Sequence, residues 1–291
     1  LFLAAGVLAR GLPEPAAARL GAALGRLGYW PLGLRRRLVE SHLRQAFPER
    51  DAAWVRATAA ASYAHLGREA VAVLRLAGAP AAEIVARTEL EGFERFRAAV
   101  EEGRGVVLVS GHLGNWELGA ASLAARGIPL DVVVQRQANP LFERALARAR
   151  AGLGLRVIDR GSAPRAALRA LRQGRVVAFV ADQDARGAGV FVPFFGRLAS
   201  THRGPAVLAL RAGSPVFLGL MLRAERGRYR GVLEELCADR SGELAAAAYR
   251  IVAAYTARLE AYVRAAPEQY FWHHRRWKTR PPEEPPVPGP V

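Results

Sequence analysis

The stretch Val106–Leu118, VVLVSGHLGNWEL, contains a histidine and a glutamate at a spacing that can do acid–base chemistry, His112 and Glu117. An apolar run ends at Ser110, and Gly111 permits a tight turn just before the histidine. If that run is a buried strand, His112 lies past its C-terminal end, where open α/β sheets bind their ligands. Glu117, on the first turn of the next helix, can then reach back to the imidazole. A carboxylate on one ring nitrogen fixes the tautomer and leaves the other nitrogen to take a proton from a hydroxyl. A plainer arrangement fits the same spacing: His112 caps the helix and Glu117 pairs with a nearby arginine. No cysteine is close and no GxSxG elbow is present, so direct attack by a bound hydroxyl is simpler than an acyl-enzyme route. Ser110 lacks the elbow signature of a nucleophile. HLGNWE is not HExxH and has no second histidine on the same helical face, which argues against a catalytic metal.

The elements around this pair read as alternating strands and helices. Leu130–Gln135, Leu155–Asp159, Val176–Asp182 and Pro215–Arg223 are further short apolar runs suited to strands. Helical segments fall between them, at about 114–126, 139–151, 162–173 and 201–212. Tyr229–Leu236 adds an edge strand and Gly242–Ala265 a long closing helix. The fold class expected is α/β, with a mostly parallel central sheet covered by helices on both faces. Upstream the chain is helical: Asp51 caps a long alanine-rich helix running through Leu76, and Leu90–Val100 is a shorter helix. Three regions follow: a helical N-terminal region over 1–100, an α/β core over 101–280 and a proline-rich extended tail over 281–291.

Composition narrows the partners. Of 291 residues, 51% are hydrophobic and 23% charged, which excludes general disorder. One cysteine, Cys237, excludes an intrachain disulfide framework and a cysteine-rich zinc site. The formal charge of +16 points to an anionic partner, although Lys278 is the only lysine and arginine-rich coding contributes to the excess. Leu1–Leu12 is apolar but too short to span a bilayer, which takes about 20 residues. It is read as the end of a longer anchor or as a face of an interfacial helix. Residues 16–39 place Tyr29 and Trp30 among apolar positions and arginines, as a monotopic helix does on anionic lipid. A helical lid with its arginines in water is the competing reading.

Several blocks in order carry a resemblance. GHLGNWE resembles the HxxxxD/E motif of the lysophospholipid acyltransferase superfamily. RQANP at 136–140, ADQD at 181–184, VFVPFFGRLASTHRG at 190–204, PEQYFWHHRRWKTRP at 267–281 and FPE at 47–49 resemble blocks of the lipid A biosynthesis (Kdo2-lipid A lauroyl/myristoyl) acyltransferase family. The resemblance covers roughly residues 30–281.

It implies transfer of a fatty acyl chain from an acyl-carrier-protein thioester, or acyl-CoA, to a hydroxyl of a lipid A precursor, with no cofactor. A glycerophospholipid or phosphatidylinositol mannoside-type acceptor with acyl-CoA is the alternative. It also implies the cytoplasmic face of the inner membrane, with monotopic or N-terminally anchored attachment. Acyl-carrier protein and anionic membrane lipid become the expected partners, and nucleic acid does not.

Under this resemblance His112 is the general base oriented by Glu117. Arg136 serves the developing oxyanion, a phosphate, or a structural ion pair. Asn139 shapes the loop before Pro140 or touches substrate. Asp182 and Asp184, costly at a buried strand end if unpaired, hold arginines or site loops or touch substrate. Arg160 faces phosphate or a surface partner. Phe194 lines an acyl groove, meets the bilayer or packs in the core. Thr201 is a helix N-cap whose amides can meet an anion. Trp272–Arg280 forms a headgroup patch, or a cation–π cluster stapling the C-terminus. A non-enzymatic membrane or nucleic-acid binder is the remaining class; it predicts that His112→Ala leaves function intact.

Overall fold

The computed structural model describes residues 11–135 and 140–282. Among the described residues four helices come first: α1 (Glu14–Tyr29), α2 (Arg36–Ala46), α3 (Ala52–Leu76) and α4 (Ala81–Arg87). Asp51 caps α3 as its sequence position predicts, its carboxylate accepting from Trp54 N–H at 2.7 Å. Helices α1 and α3 approach backbone to backbone because Gly21 meets Gly67. A Cβ at Gly21 would lie 2.6 Å from the Gly67 carbonyl oxygen.

The alternating part follows as β1 (Thr88–Glu91), α5 (Phe93–Glu101), β2 (Val106–Ser110), α6 (Trp116–Ala125), β3 (Leu130–Val134), α7 (Pro140–Gly152), β4 (Arg156–Asp159), α8 (Ala163–Arg172) and β5 (Val176–Val180). A two-stranded hairpin of β6 (Val190–Phe194) and β7 (Arg197–Thr201) interrupts it. Then come α9 (Gly204–Ala212), β8 (Val216–Arg223), β9 (Tyr229–Glu235) and α10 (Leu244–Ala265). Seven strands form one sheet in the order β1-β9-β8-β2-β5-β3-β4. Every neighbouring pair is parallel except β8 with β9. The α/β class and the mostly parallel sheet are therefore as the sequence implied.

The central strand β2 is short, apolar and buried on both faces, and its alternation splits the core in two. Val107 and Val109 of β2 join a cluster with α8, α9 and α10. Val106 and Leu108 join another with α4, α5 and α6. Strand β2 sits centrally, with Val109 opposite Phe179 on one side and Leu218 on the other. Its C-terminal end is thus held by neighbours on both sides.

Two expectations need correction, and the block at 190–204 takes a form not read from the sequence. Residues 88–91 are a strand, so the helix expected from Leu90 starts at Phe93, and the sheet edge is β1 rather than β9. The phenylalanine-rich block is a hairpin that turns through Phe195 (φ +52°) and Gly196 (φ +70°), the sign of φ that a two-residue turn demands. The helix expected over 201–212 starts at Gly204, because Thr201 still pairs with Val190 in the hairpin.

Candidate active site

His112 stands where the sequence places it, in the loop after β2. The turn itself depends on a different glycine. Gly114 has φ +66°, and a Cβ there would lie 2.0 Å from the Met221 carbonyl oxygen, so a side chain would be both strained and blocked. Gly111 packs closely on α10: a Cβ would lie 2.6 Å from Leu259 Cδ1, so a larger residue would push that side chain aside. The loop is then clamped from both sides. Asn115 N–H donates to Met221 O at 2.8 Å, at the end of β8. Gly114 N–H donates to Gln269 O at 3.0 Å, and Phe271 N–H to His112 O at 2.9 Å. The C-terminal block 267–272 thus works as a strap on the histidine loop.

The partner of the imidazole is Asp182, not Glu117. Asp182 follows β5, the strand beside β2. Its Oδ1 lies 2.6 Å from His112 Nδ1, and its Oδ2 accepts the His112 backbone N–H at 2.9 Å. Two contacts from one carboxylate fix both the loop and the ring. Burial alone would raise the Asp182 carboxyl. The charge and hydrogen bonds of His112 outweigh it and hold the group down at about 2. An ionised carboxylate at Nδ1 puts the proton on that nitrogen and leaves Nε2 as the free base. Trp116 packs edge-on against the imidazole, with centroids 4.8 Å apart.

Glu117 turns to Arg150 of α7 instead. Arg150 Nε lies 3.0 and 3.1 Å from the two carboxylate oxygens, and Nη2 lies 2.5 Å from Oε1. Both side chains are nearly buried, at 12% and 11% exposure. The expected Glu117–His112 contact is therefore replaced by the alternative arginine pairing. Arg150, absent from the sequence-based candidates, is brought to the same cavity as His112. So is Gln183, whose Nε2 lies 3.3 Å from His112 Nε2. Gln183 belongs to the ADQD block, so its position was visible in the sequence; Arg150 had no local signal.

This cavity has a volume of about 440 Å³. His112, Gln183 and Arg150 line its polar part, and Leu108, Leu123 and Met221 are among its apolar walls. A few convergent polar groups over an apolar floor make a ligand site. Arg160 also reaches it, held by a 2.7 Å bond to Gln135 Oε1.

The other sequence candidates serve the frame. Asp184 accepts from Thr279 Oγ1 at 2.9 Å and Thr279 N–H at 3.3 Å, and its own N–H donates to His274 Nε2. His274 can accept because burial, reinforced by nearby His112 and Arg276, lowers it to about 4 despite Asp182. Phe194 is fully buried among Phe195, Tyr270 and Trp277, away from the cavity. Its groove and bilayer readings give way to core packing. Thr201 ends β7 and receives Arg276 Nη2 at 2.5 Å; Arg203 occupies the helix N-cap position, so the capping role does not hold. Arg136 and Asn139 lie outside the described residues.

A second buried group supports the loop from behind. Glu69 of α3 receives Asn115 Nδ2 at 2.7 Å, Tyr229 OH at 2.8 Å and Arg223 Nη1 at 3.0 Å. The Asn115 side chain in turn caps α6 by accepting Leu118 N–H at 2.9 Å. Arg223 also bonds Glu14 of α1 at 2.6 Å. His65 sits 3.8 Å from Glu69, but neither residue lines the cavity that holds His112.

A family model described as bacterial lipid A biosynthesis acyltransferase matches residues 1–279. The chain is 30% identical over 277 residues to the lipid A biosynthesis lauroyltransferase of Escherichia coli (strain K12), covering 93% of this chain and 88% of that protein. It is 29% identical over 274 residues to the lipid A biosynthesis palmitoleoyltransferase of the same strain, covering 93% and 87%. A phosphatidylinositol mannoside acyltransferase of Mycolicibacterium smegmatis is 29% identical over 161 residues, 54% of this chain and 52% of that one. With the match running almost end to end, this chain belongs to the bacterial lipid A biosynthesis acyltransferase family and is an O-acyltransferase.

Proposed function

We propose that the enzyme moves a fatty acyl chain from an acyl-carrier-protein thioester to a hydroxyl of a lipid A precursor, with His112 as general base. The His112–Asp182 pair, whose histidine lines the cavity, carries this reading. Nε2 takes the proton as the acceptor oxygen attacks the thioester carbonyl. The tetrahedral intermediate collapses to the ester, and the thiolate leaves with the proton held on Nε2. Charge on the carbonyl oxygen needs fixed donors. The Gln183 amide and the Arg150 guanidinium supply them, and Glu117 keeps Arg150 in place. The acyl chain lies along Leu108, Leu123 and Met221.

The enzyme works at the cytoplasmic face of the inner membrane and docks there through α1 and the segment after it. No helix among the described residues is long and apolar enough to cross a membrane. Leu20, Leu24 and Leu27 nonetheless form an exposed stripe at helical spacing on α1. Trp30, Leu32 and Leu34 continue it at 68%, 65% and 57% exposure. Arg19 and Arg26 are exposed beside it, which suits an anionic bilayer surface. A longer N-terminal anchor would act in addition to this stripe.

Purified enzyme in detergent, given acyl-carrier-protein thioester and a tetra-acylated lipid A precursor, should add one acyl chain by mass spectrometry. Acylation of a phosphatidylinositol mannoside from acyl-CoA, with none of the precursor, would replace the acceptor in this reading.

A further inference from the structure

Two neighbouring helices carry charge in a way other exposed helices do not. Helices α8 and α9 rest on the same face of the sheet, with Ala167 and Leu171 of the first and Ala206 and Ala209 of the second in one core cluster. They also pack against each other. On α8, Arg165, Arg169 and Arg172 are exposed at i, i+4 and i+7, so they form one outward stripe. Arg203 at the N-cap position of α9 and Arg211 in its last turn are exposed as well. Neither helix contains an acidic residue. Among the described residues, none of these five arginines pairs with a carboxylate. Other exposed arginines do: Arg95 with Glu235, Arg97 with Glu94 and Arg258 with Glu234. From Arg160 to Ala224 the chain holds ten arginines and two acids, Asp182 and Asp184. His112 and Thr279 already engage those two. Arginine-rich coding would add arginines, but it would not remove the acids from two adjacent helices.

Both helices begin at the reaction cavity. Ala163 and Pro164 of α8, and Gly204 and Pro205 of α9, line the same space as His112. These are small residues, and a Cβ on Gly204 would meet nothing within 4 Å, so a slim chain can pass. From there α8 runs for about 15 Å, at 1.5 Å per residue. The arginine stripe thus starts beside the cavity and leads away from it over the outer surface. Neither helix exposes a large apolar side chain, in contrast to the leucines of α1. Charge without apolar anchors suits a water-soluble acidic protein better than a bilayer.

We propose that the arginine face of α8 and α9 docks an acidic carrier protein, whose thioester-bearing arm enters the cavity past the starts of these two helices. This rests on the carrier-protein thioester reading above, and it adds where the protein part of the donor binds. Forked guanidinium donors suit the carboxylates of an acidic partner. Exposed charge pairs act on association rate and orientation more than on affinity. That suits a partner that must arrive, deliver its acyl group and leave in every turnover.

The test uses the full chain and an Arg165→Glu, Arg169→Glu, Arg172→Glu triple variant, with Arg169→Glu alone as a second variant should the triple one lose its fold. The KM for acyl-carrier-protein thioester should rise at least tenfold in the triple variant. The KM for acyl-pantetheine, which has the arm without the protein, should stay level. Added salt should lower kcat/KM for the carrier thioester steeply in wild type and little in the variant. Unchanged KM for the carrier thioester would overturn the docking face. So would an equal rise for acyl-pantetheine, because the cavity itself would then be altered. Weaker binding of the variant to anionic vesicles, with the carrier KM level, would give the face to lipid and overturn the proposal. Fluorescence anisotropy of labelled carrier protein gives a readout independent of the acceptor. Wild type that binds the carrier through these arginines but leaves the lipid A precursor unacylated would sink the lipid A reading and keep the docking face. Wild type that acylates the precursor from acyl-CoA and binds no carrier would do the reverse.

Discussion

Asp182 holds His112 by its ring and its backbone at once, so under the proposed mechanism the two residues stand or fall together in the reaction. Asp182→Asn keeps an acceptor for the backbone N–H but loses control of the tautomer. A drop in kcat on the order of 10³ is expected, with KM little changed. Steady-state kinetics on a variant with a native circular dichroism spectrum checks this; a loss below tenfold would remove Asp182 from the mechanism. A second effect belongs to His273, which is buried, ringed by Tyr63 and Phe271, and lowered to about 4 chiefly by burial, with Arg35 and His42 adding to it. The unfolded chain takes up that proton first, near pH 6.5, so stability falls as pH drops from there to about 4. The pKa difference corresponds to about 3 kcal/mol. Denaturant titrations at pH 7 and pH 4.5 should show the loss, and His273→Phe should reduce it without abolishing it, because His274 is lowered to about 4 as well. At this scale His112 was legible because a strand-end histidine has a local signature. Its partner was not. Asp182 is 70 residues away, and only the parallel pairing of β2 with β5 brings it near.

Among the elements, the histidine loop is built by its neighbours more than by its own sequence. Met221 at the end of β8, Gln269 and Phe271 in the C-terminal strap, and Glu69 behind Asn115 each fix one point. Glu69→Gln keeps most of the volume but removes the carboxylate that three donors share. It should cost about 1–3 kcal/mol in stability. It should also lower kcat more than KM, because Glu69 positions the loop and touches no substrate. If the unfolding midpoint falls while kcat holds, Glu69 supports only the fold. The principal central strands could be read from short apolar runs, and the Asp51 cap from its residue type. Strand β1 could not, because TELE is short, polar and at the sheet edge, where pairing with β9 decides its conformation. The hairpin was hidden for a similar reason: Phe195-Gly196 takes the place of the usual Asn-Gly turn, and Phe195 adopts φ +52° in a buried aromatic cluster.

At the scale of the whole molecule, two surfaces serve one cavity at the end of the sheet. The apolar stripe of α1 faces outward, and the arginine face of α8 and α9 starts beside the His112 cavity. In the proposed function, a lipid acceptor enters from the membrane with its head toward His112. Leu24→Glu with Leu27→Glu should weaken binding to anionic vesicles at least tenfold in a sedimentation assay. Activity on a detergent-dispersed acceptor should change less than threefold. Equal vesicle binding would move the membrane contact elsewhere on the chain. The charge excess of +16 gave only the sign of the partner. Its concentration on one pair of helices appears in three dimensions alone, because β5 and the hairpin separate α8 from α9 in sequence.

The most direct test of the account is a single comparison. Wild type, His112→Ala and Asp182→Asn are each incubated with acyl-carrier-protein thioester and a tetra-acylated lipid A precursor, and the product is weighed by mass spectrometry. The account predicts one added acyl chain with wild type, none with His112→Ala and a trace with Asp182→Asn. Equal product from the His112→Ala enzyme would contradict it.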